Sequence, residues 1–305
     1  MRASYHRSPS LHFGLEKERG KLLYILPIFG NSVMQVMDMT KLSVLLSVAG
    51  LLATAAWSLA EPEGPSTAEA QKRQRVLQFD FKKTIKTKLQ YLLFLPQDYA
   101  QDQAKVWPMI FFLHGAGERG TNVWKAAVHG PPKYVNNHPD FPFIVVSPQC
   151  PENEVWSKDI LLGLLDDILR RYRVDSNRVY LTGLSMGGYG TWDLGLAYPE
   201  KFAAIVPICG GGSLISILLA EGQKADALKG LGVWAFHGAK DPIVPEQESQ
   251  RMVALLKSHG VQEAKLTVFP EAGHDCWTQA YSDAELYKWL LEHQRNPPSA
   301  DRNNR

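Results

Sequence analysis

Cysteine is scarce in this chain: Cys150, Cys209 and Cys276 are its three, in 305 residues, and they form no CxxC pair. That scarcity argues against a disulfide framework and a thiolate metal site. Charge of one sign is equally scarce, because 33 Lys plus Arg face 31 Asp plus Glu for a formal net charge of +2. Nothing in that balance calls for a nucleic-acid partner. No internal repeat and no low-complexity block interrupts the central part of the chain, which argues against a solenoid. What is abundant is apolar: 45% hydrophobic residues with 10% aromatics are ample for a packed core in one large or two small domains.

One apolar run, Leu42 to Ala60, follows Lys41 and ends in Ser58-Leu59-Ala60 before an acidic, proline-bearing segment. This is the basic, apolar and small-x-small order of a secretory signal peptide over 39–60, with cleavage after Ala60. The expectation is a secreted or periplasmic protein with no membrane span once the signal is removed. The alternative is an anchor over 42–60, since roughly 20 apolar residues cross a bilayer. A signal belongs at the amino terminus, so residues 1–38 are expected to be a non-native or disordered leader, with translation starting at Met37 or Met39. Residues 61–74 are polar and turn-rich and are expected to be a linker, 75–294 a catalytic domain, and 295–305 a frayed tail.

Within 75–294 eight runs of strand length recur: 76–81, 91–96, 109–114, 143–148, 179–183, 203–209, 233–237 and 265–269. The later ones are nearly continuous in apolar residues, as strands buried on both faces of a parallel sheet are. Helical spacing lies between them. Ile160, Leu161, Leu164, Leu165, Ile168 and Leu169 make one stripe, Met252, Leu255 and Leu256 after Pro245 a second, and Leu286, Trp289, Leu290 and His293 a third. Strands alternating with helices predict an α/β fold with a mostly parallel eight-stranded sheet flanked by helices.

The chemistry gathers around LTGLSMGGYG, residues 181–190. Ser185 falls at the end of a central predicted strand, with Gly183 and Gly187 two residues to either side and a helix of small residues behind. The pattern G-x-S-x-G is a nucleophile elbow, in which a sharp strand-to-helix turn exposes the serine hydroxyl. A hydroxyl needs a base, and the base needs a carboxylate to hold its tautomer. In chain order those partners follow as Asp or Glu, then His, on loops after later strands. Asp241, after the run at 233–237, and His274, after the run at 265–269, stand in those places. Asp275 adjoins His274 too closely to turn onto its ring and is expected to organise the loop. His114 and His237 end strands in two HGA sequences and are expected to bond to turn backbone. An oxyanion hole would take one donor from the backbone N–H of Met186 and a second from the loop 114–120, with Ala116 first and Gly117 as the alternative.

The segments LHGAGERG, LTGLSMGGYGTWDLGLAYPEKFAAIVPICGGG, FHGAKDPIVP and AGHDCW resemble the single-domain α/β-hydrolase carboxylesterases, the dienelactone-hydrolase-like, polyhydroxybutyrate-depolymerase-like and feruloyl-esterase-like proteins. They are also similar to the catalytic domain of prolyl oligopeptidases. The resemblance spans about residues 75–293 and implies the α/β-hydrolase fold with strand order 1-2-4-3-5-6-7-8. It implies Ser185 as nucleophile, Asp241 as acid, His274 as base and Gly115 to Gly117 as the oxyanion loop. It further implies carboxylic ester hydrolysis with no metal and no cofactor, on a small-molecule or polysaccharide-linked ester. A serine peptidase and a non-catalytic binding protein of the same fold are the alternatives.

That strand order sets Cys150 and Cys209 three strand spacings apart, roughly 14 Å at about 4.8 Å each, so both are expected to be free thiols. Cys276 is left open. Trp124, Trp156, Trp277 and Tyr281 lie close to the motifs as candidates for a substrate pocket. Glu118 and Arg119 are expected either to bind a polar leaving group or to pair with each other.

Overall fold

A computed structural model describes residues 17–18, 21–22, 77–82 and 84–295. The expected signal segment and linker lie outside the described residues, as do the leader apart from residues 17–18 and 21–22 and the tail apart from Arg295. The chain divides into two units, Met1–Lys82 and Lys83–Arg305. In the first, β1 (Lys17–Glu18) pairs antiparallel with β2 (Lys21–Leu22). No helix among the described residues is long and apolar enough to cross a membrane.

The described residues of the second unit are built on seven strands: β3 (Tyr91–Phe94), β4 (Trp107–Leu113), β5 (Ile144–Pro148), β6 (Val174–Leu184), β7 (Ala204–Ile208), β8 (Gly232–Gly238) and β9 (Ala264–Phe269). Their spatial order is β3-β5-β4-β6-β7-β8-β9, with β3 antiparallel to β5 and every other pairing parallel. This is the expected order without its first strand, and it corrects the count of eight. The run at 76–81 alternates as a strand should, yet residues 77–81 have no strand assignment and Leu77, Phe79 and Phe81 are 85%, 86% and 74% exposed. Alternation defines an apolar face; only pairing with a neighbour makes a strand.

Burial explains why the central strands are apolar throughout. Along β4 the side chains of Met109, Phe111 and Leu113 enter one core cluster, and those of Ile110 and Phe112 enter the cluster on the opposite face. Two layers of helices close those faces. Leu161, Leu165 and Ile168 of the helix Lys158–Arg171 (α2) and Met252, Val253 and Leu256 of Gln247–Ser258 (α6) pack on the first. Leu286, Tyr287, Trp289 and Leu290 of Ala284–Glu292 (α8) pack on the second, near the short helices Gly130–Tyr134 (α1) and Trp277–Ser282 (α7). On the first face the central helix Met186–Ala197 (α3) also packs, through Trp192, Leu194 and Leu196, against β6 and β7; Ile215–Leu218 (α4) and Gly222–Lys229 (α5) complete the set.

One helix position offers a test that involves no packing change. Gly163 sits inside α2 on its exposed side, and a Cβ there would meet nothing within 4 Å. Gly163→Ala is therefore expected to raise stability by about 0.5–1 kcal/mol through helix propensity alone. A chemical melt with an unshifted midpoint would contradict it.

Candidate active site

The loops that matter all leave the carboxyl ends of the parallel strands, where an open α/β sheet leaves room for a site. After β6 the chain turns directly into α3, and Ser185 makes that turn with φ 52° and ψ −115°. A non-glycine residue in the left-handed half of φ space is strained by roughly 1–3 kcal/mol and persists only when its surroundings hold it. Here the Ser185 N–H donates to the Ile208 carbonyl at 3.0 Å, and its carbonyl accepts from Tyr189 N–H at 3.0 Å. The flanking glycines are required by close approach. A Cβ on Gly183 would stand 2.4 Å from the Gly187 carbonyl oxygen, and one on Gly187 would stand 1.9 Å from that of Leu113.

The elbow aims Ser185 at His274. The Ser185 hydroxyl donates to His274 Nε2 at 2.9 Å, and His274 Nδ1–H donates to Asp241 Oδ2 at 2.7 Å. Residues separated by 89 and 33 positions in sequence thus form one line of hydrogen bonds. Asp241 is held from behind as well, because its Oδ1 accepts the N–H groups of Ile243 (2.8 Å) and Val244 (2.9 Å). Burial pushes its carboxyl upward, but the bonds from His274, Val244 and Ile243 outweigh burial and hold it below the ordinary 3.8.

A depressed carboxyl stabilises the fold above the unfolded-state value near 4, and that stabilisation is lost as pH falls through the lower folded value. Asp241→Asn is accordingly expected to lower the thermal midpoint at pH 7 and to show a smaller deficit against wild type near pH 3. Equal deficits at both pH values would mean that the carboxylate charge contributes nothing.

The expected oxyanion donors occupy the first positions of two helical turns. Met186 opens α3, and Ala116 opens the 3-10 turn Ala116–Glu118, so neither backbone N–H has an acceptor within its own turn. Gly117 follows in the same turn, exposed, with nothing within 4 Å of a Cβ position. The turns lie back to back: a Cβ on Gly187 would stand 2.7 Å from the His114 carbonyl oxygen, and one on Gly115 2.8 Å from the Leu184 side chain.

The two strand-ending histidines serve these loops. His114 Nδ1–H donates to the Gly115 carbonyl (2.7 Å) and Nε2 accepts from Cys150 N–H (3.0 Å), while burial pushes its basicity down. His237 Nε2–H donates to the Val244 carbonyl at 2.9 Å and stands 3.4 Å from Asp241 Oδ2, with Nδ1 bonded to the Ser249 hydroxyl at 2.7 Å. His237 and Ser249 therefore support the acid loop from inside the core, a contact that sequence spacing did not reveal. Asp275 accepts from the Thr278 N–H and hydroxyl, organising the start of α7.

The aromatic candidates divide. Trp277 stands edge-on to His274 with ring centres 5.3 Å apart. Trp156 donates to the His114 carbonyl and, with Met186, Tyr189, Gly190 and Gly211, lines an open cleft of about 560 Å³ beside the elbow. Tyr281 lines no cleft: it is buried in the core, its hydroxyl bonded to Thr182 at 2.9 Å and its ring edge-on to Phe112. Helical phase turned it inward, away from the loop next to it in sequence. Trp124 is 71% exposed on the turn Val123–Ala127 and makes no ring contact with the triad among the described residues. Arg119 does not pair with Glu118; it donates to the carbonyls of Ala116 and Glu154.

All three cysteines are free and buried, and burial raises the Cys150 thiol to about 11. Cys209 Sγ, an Asp241 oxygen and a His274 nitrogen lie within 4.8 Å of one another. Both ring nitrogens of His274 are already engaged by Ser185 and Asp241, and burial pushes the Cys209 thiol strongly upward. That set suits a hydrogen-bond relay better than a metal ion, whose thiolate ligand must be deprotonated.

The sequence and the fold have relatives among known proteins. The family model for phospholipases and carboxylesterases matches residues 160–287, a span that holds Ser185, Asp241 and His274 but not the loop at 114–120. A poly(3-hydroxyoctanoate) depolymerase of Pseudomonas fluorescens is 25% identical over 181 residues, covering 53% of this chain and 63% of that protein. The crystal structure of a thermostable esterase superposes with a TM-score of 0.58 at 34% identity, covering 72% of this chain and 63% of that one. A ferulic acid esterase shares the fold at 20% identity and a TM-score of 0.53, covering 67% of this chain and 91% of that one. The chain therefore spans less than two thirds of the depolymerase and of the thermostable esterase.

Proposed function

We propose that this chain, which belongs to the α/β-hydrolases of the carboxylesterase type, cleaves carboxylic esters through an acyl-enzyme on Ser185. The observation that carries the reading is the unbroken relay of 2.9 Å from Ser185 to His274 and 2.7 Å from His274 to Asp241. As Ser185 Oγ attacks the ester carbonyl, His274 Nε2 takes its proton, and Asp241 stabilises the imidazolium that forms. The N–H groups of Met186 and Ala116, or Gly117 in place of Ala116, receive the oxyanion; one such donor contributes about 3 kcal/mol to the transition state. His274 then returns the proton to the leaving alcohol, and a water repeats the sequence in reverse to release the acid. The residues themselves carry every charge and proton in this scheme, so it calls for no metal and no cofactor.

The substrate is a small-molecule or polysaccharide-linked ester, in keeping with relatives that act on a polyester and are named for ferulic acid. Export through the segment 39–60 belongs to the same proposal and rests on its basic, apolar and small-x-small order. A non-catalytic binding protein is disfavoured, because such a protein has no use for a strained serine aimed at a histidine. The test is labelling of the purified protein with a fluorophosphonate and turnover of a p-nitrophenyl ester. Modification mapped to the peptide holding Ser185 supports the reading, and an unlabelled, inactive protein refutes it.

A further inference from the structure

Resting on the esterase reading above, we infer that Glu118, His129 and Trp277 form a leaving-group subsite for a polyhydroxylic alcohol. Glu118 ends the oxyanion turn, and its backbone carbonyl is anchored by Gln149 Nε2 at 2.6 Å. Its carboxylate is unusually placed. Oε2 is shielded from solvent with no hydrogen-bond partner, and it packs so closely that a Cβ on Gly115 would stand 3.0 Å away. Oε1 lies 3.9 Å from His129 Nε2, beyond a hydrogen bond. The neighbouring cation does not relieve it, since Arg119 is committed to two backbone carbonyls.

A second orphan belongs to a ring that neighbours His129. Trp277 Nε1–H is buried without an acceptor, and the Trp277 ring stands 5.5 Å from that of His129 and 5.3 Å from that of His274. The row His274, Trp277, His129, Glu118 therefore runs from the base to the oxyanion turn. Leaving such groups unpaired is costly, more so for a charged one. A partner recovers that cost.

The side of the substrate follows from the chemistry. His274 Nε2 must reach the departing oxygen to protonate it, so the alcohol lies toward His274 and along the row that begins there. The kind of alcohol follows from the orphans. One is an acceptor and one a donor; a hydroxyl gives and receives, whereas an ammonium only gives. An alcohol with two or more hydroxyls donates to Glu118 and accepts from Trp277 at once.

The experiment compares two esters that differ only in those hydroxyls, propyl butyrate and 2,3-dihydroxypropyl butyrate. Wild-type protein is expected to favour the dihydroxypropyl ester by roughly tenfold or more in kcat/KM, because a site built for a hydroxyl discriminates against its absence. In Glu118→Met that preference falls to about twofold or less, and in Trp277→Phe it falls by a smaller factor. A variant that does not fold is replaced by a measurement on wild type, inhibition by glycerol against inhibition by 1-propanol, where tighter inhibition by glycerol is expected. Equal kcat/KM for the two esters in wild type, or a preference unmoved by Glu118→Met, overturns the subsite and assigns the carboxylate to trapped solvent. Loss of both esters together with failure to label Ser185 strikes the esterase reading instead.

Discussion

Ser185→Ala is expected to lower p-nitrophenyl ester hydrolysis by about 10⁴- to 10⁶-fold and to abolish fluorophosphonate labelling, with the fold intact. The loss is large because serine, histidine and aspartate act as one unit: without the hydroxyl, the proton that His274 takes has no source and no acyl-enzyme forms. The fold survives because the substitution removes one oxygen from a turn whose backbone is held by Ile208 and Tyr189, not by the side chain. Alanine tolerates φ 52° no worse than serine, so the strain at the elbow is unchanged. A melt matching wild type together with absent turnover is the expected pair of results. Substantial labelling of the variant would place the nucleophile elsewhere.

Gly187→Ala is expected to be the most destabilising glycine-to-alanine change among the described residues. Its added methyl would stand 1.9 Å from the Leu113 carbonyl oxygen and 2.7 Å from that of His114, both backbone atoms at the end of β4. Backbone cannot rotate aside as a long side chain does, so either α3 lifts from the sheet or β4 bends. Relief by that route costs roughly 3 kcal/mol or more, which in a domain of this size corresponds to about 6–12 °C in the thermal midpoint. Activity should fall with it, because a shift of α3 carries the Met186 N–H away from the oxyanion position. Gly163→Ala is the internal control, an added methyl that meets open space. If both glycine variants melt alike, close approach at the elbow is not what Gly187 provides.

Much of the candidate site is legible in the sequence. The order Ser185, Asp241, His274 could be read because each follows an apolar run ending in a glycine-bearing turn, and a parallel sheet brings the ends of such runs to one edge. Gly183 and Gly187 could be read because a tight turn leaves no other choice. Tyr281 departs from its expected place for a physical reason: proximity in sequence to His274 says nothing about which face of the short helix Trp277–Ser282 the ring leaves from. The run at 76–81 reads as an eighth strand, and residues 77–81 are not one, because alternation is local and pairing is not. His237 beneath the Asp241 loop and the solvent-shielded Glu118 Oε2 leave no local pattern, since both depend on where separate loops meet.

The sequence by itself determined the strand and helix periods, the glycine-framed serine and the order of its partners, because these depend on spacing along the chain. Only the tertiary structure decided the 2.9 and 2.7 Å hydrogen bonds, the seven-stranded sheet among the described residues and the placement of Trp277 between His274 and His129. Those arise from contacts between residues tens of positions apart, and no local pattern encodes a distance across the sheet.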